Sequence, residues 1–183
     1  MKIIEKSLNG IVIIKSNVFK DNRGVFIKTY HKEFFEKNNL DSEFRESFFS
    51  VSKKNVIRGM HFQTPPDEHA KLVYCAYGKI LDVVVDIRKN SPTYGQFYSI
   101  ELTQDNGKII YIPKGFAHGF KSLTDNSVVI YLTTKEYSPK NDSGIRWDSF
   151  GFDWEIENPI ISNRDKDFLP LSKFDSPFIY EDK

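Results

Sequence analysis

The sequence predicts an all-β fold, an antiparallel barrel or jelly-roll sandwich with short peripheral helices. Two observations carry that prediction. Short runs rich in β-branched and aromatic residues recur along most of the chain, and turn signals separate them at regular intervals. The expected strands are IVIIKS (11–16), GVFIKTY (24–30), KLVYCAYG (71–78), ILDVVVDIR (80–88), QFYSIEL (96–102), KIIYIP (108–113) and SVVIYLTT (127–134). Turns such as AYGK, NSPTYG, QDNG and TDNS lie between them, built from residues that set or tolerate turn dihedrals. Only HKEFFEKNN (31–39) reads as a helix, with Phe34 and Phe35 on one side. In ILDVVVDI, Asp82 and Asp86 lie four apart, which suits the polar side of a strand whose other side is buried. From about residue 140 the tail is irregular and carries Pro159, Pro170 and Pro177. There is no repeat, linker or low-complexity tract, so residues 1–183 read as one domain.

Composition narrows the partners. Charged residues make up 28% and hydrophobic ones 39%, with a net charge of +1, so no global field points to nucleic acid or an anionic membrane. The single cysteine, Cys75, has no internal partner and lies in an apolar run, the setting of a buried structural thiol. The N-terminus MKIIEKSLNGIVII has short apolar runs broken by charge, unlike a signal peptide. No run approaches the ~20 apolar residues of a membrane span. A cytoplasmic location, with no nucleic-acid or membrane partner, is the expectation.

Residues 107–118, GKIIYIPKGFAH, fit the second motif of the cupin barrels, with Gly107, Pro113, Gly115 and His118 in its four fixed places. The first cupin motif keeps its frame at Gly59 and Gly78 but not its metal ligands. Pro65 and Asp67 stand where the His pair belongs, and Lys71 stands where the Glu belongs. Proline offers no donor atom, and a protonated lysine has no lone pair and repels a cation. Asp67 and His118 are too few for a tight transition-metal site, so neither metal nor other cofactor is expected.

Beyond the cupin frame, the chain resembles the dTDP-4-dehydrorhamnose 3,5-epimerases. The matching segments include DNRGVF (21–26), NVIRGMHFQ (55–63), IYIPKGFAHGF (110–120), VIYLTTKEY (129–137), SGIRWD (143–148) and NPIISNRDKD (158–167). The resemblance implies an isomerase acting on a nucleotide-linked 4-keto-6-deoxy sugar, in making surface polysaccharide sugars. The C4 ketone acidifies the hydrogens on C3 and C5. A base removes one, the enolate charge falls on O4, and an acid on the opposite face returns a proton. By resemblance His61 is the base, Asp165 orients its imidazole, Lys71 stabilises the enolate oxygen and Tyr131 is the acid. Arg23 and Arg58 would meet phosphates or sugar, His118 the ligand, and Tyr137 would stack on the nucleobase. The resemblance also implies a homodimer, for which the apolar IVII strand offers an edge that pairs across subunits.

At several ligand positions the sequence departs from the family pattern. Lys28 and Asp142 stand where Glu is usual, Glu46 replaces Gln, Phe48 replaces Asn, and Arg164 replaces Lys. Such changes alter which ligand fits, since unpaired buried polar groups are costly. An ionised Glu46 only accepts hydrogen bonds, which favours a cytosine or guanine edge over thymine and makes CDP or GDP an expected ligand alongside dTDP. Alternatives therefore stay open: inversion of one centre only, a CDP- or GDP-linked sugar or heptose, or a non-catalytic sugar-nucleotide-binding cupin.

Overall fold

The computed structural model describes residues 1–182. The strands are β1 (Lys2–Ser7), β2 (Ile11–Lys15), β3 (Val18–Asp21), β4 (Gly24–Ile27), β5 (Glu46–Ser52), β6 (Ile57–Gln63), β7 (Lys71–Tyr77), β8 (Lys79–Asp86), β9 (Phe97–Thr103), β10 (Lys108–Ile112), β11 (Phe116–Ser122), β12 (Ser127–Thr133) and β13 (Asp142–Gly144). Two short helices, α1 (Lys32–Lys37) and α2 (Asn163–Asp167), and a 3-10 turn at Leu171–Lys173 lie outside the sheets. One sheet runs β1-β2-β10-β7-β12-β5 and the second β13-β6-β11-β8-β9, while β3 and β4 form a separate hairpin. Every pairing between these strands is antiparallel. No described helix is long and apolar enough to cross a membrane.

The continuous apolar runs have both faces covered. In β2, Ile11 and Ile13 face the barrel interior, where they meet Val73, Val84, Ile110 and Phe120 from both sheets. Val12 and Ile14 face outward and pack with Leu72, Tyr111 and Phe35 of α1. In β8, Val84 is interior, whereas Val83 and Val85 pack under Trp154 and Phe178 of the tail. Alternation with period two thus feeds two different cores from one strand.

This double cover corrects two sequence expectations. Asp82 and Asp86 share one side of β8, but that side is the barrel interior, and both are fully buried. Asp86 accepts from Arg88, Ser91 and Thr93, which compensates its burial. The IVII strand is β2, buried between β1 and β10, so it has no free edge for another subunit. The open edges of that sheet are β1 and β5.

β6 and β11 are brought together by two glycines. Gly59 has φ +144°, and a Cβ there would lie 2.6 Å from the Cα of Gly119. The pairing shifts register between His118 and Phe120 at this crossing, and His61 of β6 stands opposite His118 of β11.

Candidate active site

The site is a cavity of about 280 Å³ between the two sheets, lined by residues of β5, β6, β7, β11 and β12 and by the loops beyond them. His61 projects from β6, and its Nε2 lies 2.8 Å from Asp165 Oδ1. Asp165 arrives from α2, where its N–H donates to Ser162 Oγ at the helix start. Its other oxygen accepts from the Gly59 N–H at 3.1 Å. Burial by itself would push this carboxyl up, but the hydrogen bond and charge of His61 and the Gly59 N–H outweigh it and hold it at about 2. An ionised Asp165 accepts only, so the His61 Nε2 carries the proton and Nδ1 is left bare. The Arg164 Nη2 also lies 2.8 Å from Nε2. Two donors cannot share that geometry, and the ionised carboxylate is the stronger partner, so Arg164 is a neighbouring charge here. Burial lowers the His61 pKa, Lys71 and Arg164 lower it further, and Asp165 opposes them.

Lys71 lies on β7, and its Nζ donates to the His61 carbonyl at 3.0 Å. Burial brings its ammonium down to about 8, while the charges of Asp142 and Asp82 hold it up. Tyr131 lies on β12, its hydroxyl 3.4 Å from Ser50 Oγ. Burial raises the Tyr131 pKa, so the phenol keeps its proton. His118 forms a second buried pair, Nε2 to Asp82 Oδ2 at 2.8 Å. Burial pushes the Asp82 carboxyl up against the pull of His118 and Lys71.

At the mouth, the Arg58 Nε donates to Ser52 Oγ at 3.0 Å and its Nη2 to the Val51 carbonyl at 3.3 Å. Tyr137 is largely exposed and donates to Asp142, which also accepts from Arg164 Nη1 at 2.7 Å. Gln63 ties down the loop before Tyr137: its amide donates to the Asp67 and Glu136 carbonyls and its oxygen accepts from the Ser138 N–H.

The family model described as dTDP-4-dehydrorhamnose 3,5-epimerase matches residues 5–173. The chain is 42% identical over 175 residues to the dTDP-4-dehydrorhamnose 3,5-epimerase of Methanothermobacter thermautotrophicus, covering 93% of this chain and 94% of that one. The chain belongs to this family. Among solved structures, the dTDP-6-deoxy-D-glucose-3,5-epimerase of Legionella pneumophila, in complex with dTDP-4-keto-L-rhamnose, superposes with a TM-score of 0.92 at 31% identity, over 98% of this chain and 99% of that one. The dTDP-4-dehydrorhamnose 3,5-epimerase of Bacillus anthracis, with TDP and pyrophosphate bound, gives 0.89 at 35% identity, over 92% and 98%. These are the jelly-roll barrels of the epimerase family, and this chain shares that fold.

Of the positions singled out in the sequence of this family member, Glu46, Phe48, Arg58, His61, Lys71, His118, Tyr131, Tyr137, Asp142 and Arg164 line the one cavity, with Asp165 behind His61. Arg23 and Lys28 do not. Arg23 sits at the tip of the β3–β4 hairpin, with its side chain 86% exposed and paired with Asp21 at 2.6 Å. Lys28 lines a separate cleft beside α1, with Phe19 and Phe26. Asp67, in the vacated metal frame, accepts from Asn141 in a loop. Among the described residues no three His, Cys, Asp or Glu side chains cluster as metal ligands.

Sequence reasoning passed over Asp82, Ser50 and Gln63. A carboxylate inside a run of valines was the available signal for Asp82, read instead as a solvent-facing side. Ser50 carries no signal of its own, because its partner Tyr131 is distant along the chain, and Gln63 closes a matching segment but its ties to Glu136 and Ser138 appear only in the fold.

Proposed function

We propose that this chain is a metal-independent 3,5-epimerase of a dTDP-linked 4-keto-6-deoxy sugar, supplying deoxysugars for surface polysaccharides. The observation that carries this reading is the His61–Asp165 pair opening onto the same cavity as Lys71 and Tyr131. The bare Nδ1 of His61 takes the proton from the carbon beside the ketone. Asp165 stabilises the imidazolium that forms. Lys71, buried in the cavity wall and still largely an ammonium at neutral pH, meets the charge that develops on O4. Tyr131 returns a proton from the other face, and the centre inverts. Arg58 offers its guanidinium to the diphosphate, which suits bidentate contact. Tyr137 offers an exposed ring to the base.

The relatives are named for dTDP sugars, and this outweighs the cytosine or guanine preference expected from Glu46. Residues 1–183 act as one domain, since Asp165 of the tail completes a site otherwise built on barrel strands. A cytoplasmic setting accompanies this reading, with its single unpaired cysteine. The chain works as a homodimer: Phe19, Val25 and Phe26 leave an exposed apolar surface on the hairpin that carries Arg23, and a second copy both covers it and receives Arg23 at its own cavity.

Proton NMR of the 4-keto sugar nucleotide in D₂O tests the function. Deuterium entering C3 and C5 with inversion is the expected result. Entry at one carbon makes the chain a single-centre epimerase, and entry at neither makes it a binding protein. His61→Ala should fold and lose exchange at both carbons.

A further inference from the structure

We propose that Phe48 is a positioning residue for Tyr131, gripping its ring so that the phenol is aimed at one face of the bound sugar. The inference rests on the reading of Tyr131 as the proton donor and deepens it.

Phe48 and Tyr131 are direct cross-strand partners in the β5–β12 pairing. Their rings stack with centroids 4.7 Å apart and planes 16° from parallel. His118 meets the Tyr131 ring edge-on at 6.1 Å. Among the described residues the phenol hydroxyl has one protein partner, Ser50 Oγ, at 3.4 Å. That distance is at the long limit of a hydrogen bond, so it holds the ring weakly. Of these two the stack is the stronger restraint on Tyr131, whose ring also belongs to the buried barrel core with Val73 and Val129.

Phe48 is also costly where it stands. It is 46% exposed and belongs to none of the buried clusters of the core. Glu46, Phe48 and Ser50 alternate along β5 toward the cavity. The polar Asn that Phe48 replaces in the family pattern offers no ring to stack. In the cavity wall Phe48 gives a platform under the donor's ring, and the hydrogen-bonding group that Asn would bring is lost in exchange. Stacked pairs of this kind shift a conformational population by roughly two- to tenfold.

The test compares Phe48→Asn, which removes the platform, with Phe48→Tyr, which keeps it. Reactions are run in D₂O with a dTDP-linked 4-keto-6-deoxyhexose, and three quantities are read: inversion, deuterium entry with retention, and KM. Phe48→Asn should lose inversion about two- to tenfold while deuterium entry and KM stay within about twofold, and Phe48→Tyr should match the native protein. Parallel loss of inversion and entry overturns the proposal, because a general loosening of the site would do that. A raised KM with unchanged kcat also overturns it, making Phe48 a wall for substrate. Phe48→Leu, which keeps apolar bulk without a ring, replaces Phe48→Asn if that variant melts early by circular dichroism, and the same outcomes apply. Tyr131→Phe separates the two levels. If it abolishes inversion while Phe48→Asn changes nothing, only the positioning role fails. If it leaves inversion intact, the donor assignment fails and the positioning role with it.

Discussion

His61 and Asp165 meet Nε2 to Oδ1 at 2.8 Å, and the carboxylate's other oxygen is held by the backbone N–H of Gly59, two residues before the histidine. Strand and helix are thus fastened through the same side chain that fixes the imidazole's tautomer. Asp165→Asn keeps the shape but adds an amide donor toward Nε2. The wrong ring nitrogen then carries the proton. Deuterium exchange at both carbons should fall by ~10²–10⁴, the usual worth of a positioned base. Exchange within a fewfold of native would mean that Asp165 only braces α2.

The pH dependence of kcat/KM should be bell-shaped. Burial holds His61 below the ordinary imidazole value of 6.5, so the neutral base persists as pH falls and the acid limb lies below 6.5. Lys71 titrates at about 8, so its cation is lost as pH rises through that value and the alkaline limb should fall there. An alkaline limb above pH 10 would move the enolate-stabilising charge to another group.

Asp165 also makes an acid-stability prediction. Its folded-state value, about 2, is below the ordinary 3.8, so its stabilising contribution is present above about 4 and is lost as pH falls toward 2. Urea midpoints should drop across that window in the native protein and drop less in Asp165→Asn.

Gly59→Ala should destabilise the fold by about 1–3 kcal/mol. The new Cβ meets the Gly119 backbone at 2.6 Å and the positive φ disfavours any side chain. Urea denaturation measures it, and a change under 0.5 kcal/mol would show that the β6–β11 crossing relaxes easily.

Calorimetry with dTDP, CDP and GDP should give dTDP the tightest binding, by tenfold or about 1.4 kcal/mol. Equal affinity for CDP would restore the reading of Glu46 as an acceptor for an amino-bearing base.

Light scattering at micromolar concentration should return twice the chain mass. Phe26→Asp, on the exposed hairpin, should shift that equilibrium toward the monomer. A monomeric native protein would leave Arg23 without a route to any cavity.

What the sequence disclosed depended on how each residue does its work. β2, β8 and β10 announce themselves through β-branched runs. β5, β6 and β11, which read ESFFSVS, IRGMHFQ and FAHGFKS, do not, because glycine, serine and histidine stand where branched residues would signal a strand. Their pairing with neighbours makes them strands, and the family motifs alone pointed to the site candidates they carry. The placement of Asp165 beside His61 was legible only through those motifs, since a charged five-residue segment otherwise reads as solvated surface, and the approach of Arg164 to the same nitrogen appears only in the fold. Arg23 and Lys28 were expected as ligand contacts, and the fold places both outside the cavity that holds His61, because the hairpin and the segment after it lie away from the barrel mouth.

The carboxylate behind His61 comes 104 residues later in the chain, on a helix of five residues in the irregular tail. During synthesis the strands that carry His61, Lys71 and Tyr131 all leave the ribosome before Asp165 does. A nascent chain can therefore pair these strands while its imidazole is still without its carboxylate, and the residues that cover the outer face of β8, Phe174 and Phe178, emerge later still. The same order gives the tail its own fastening: past residue 157 the chain is hydrogen-bonded to the barrel through Ile160 at Asn55 and Ile57 and through Phe178 at Lys89, so a single nick near residue 157 cuts the covalent link to Asp165 and leaves its hold on the barrel to those contacts.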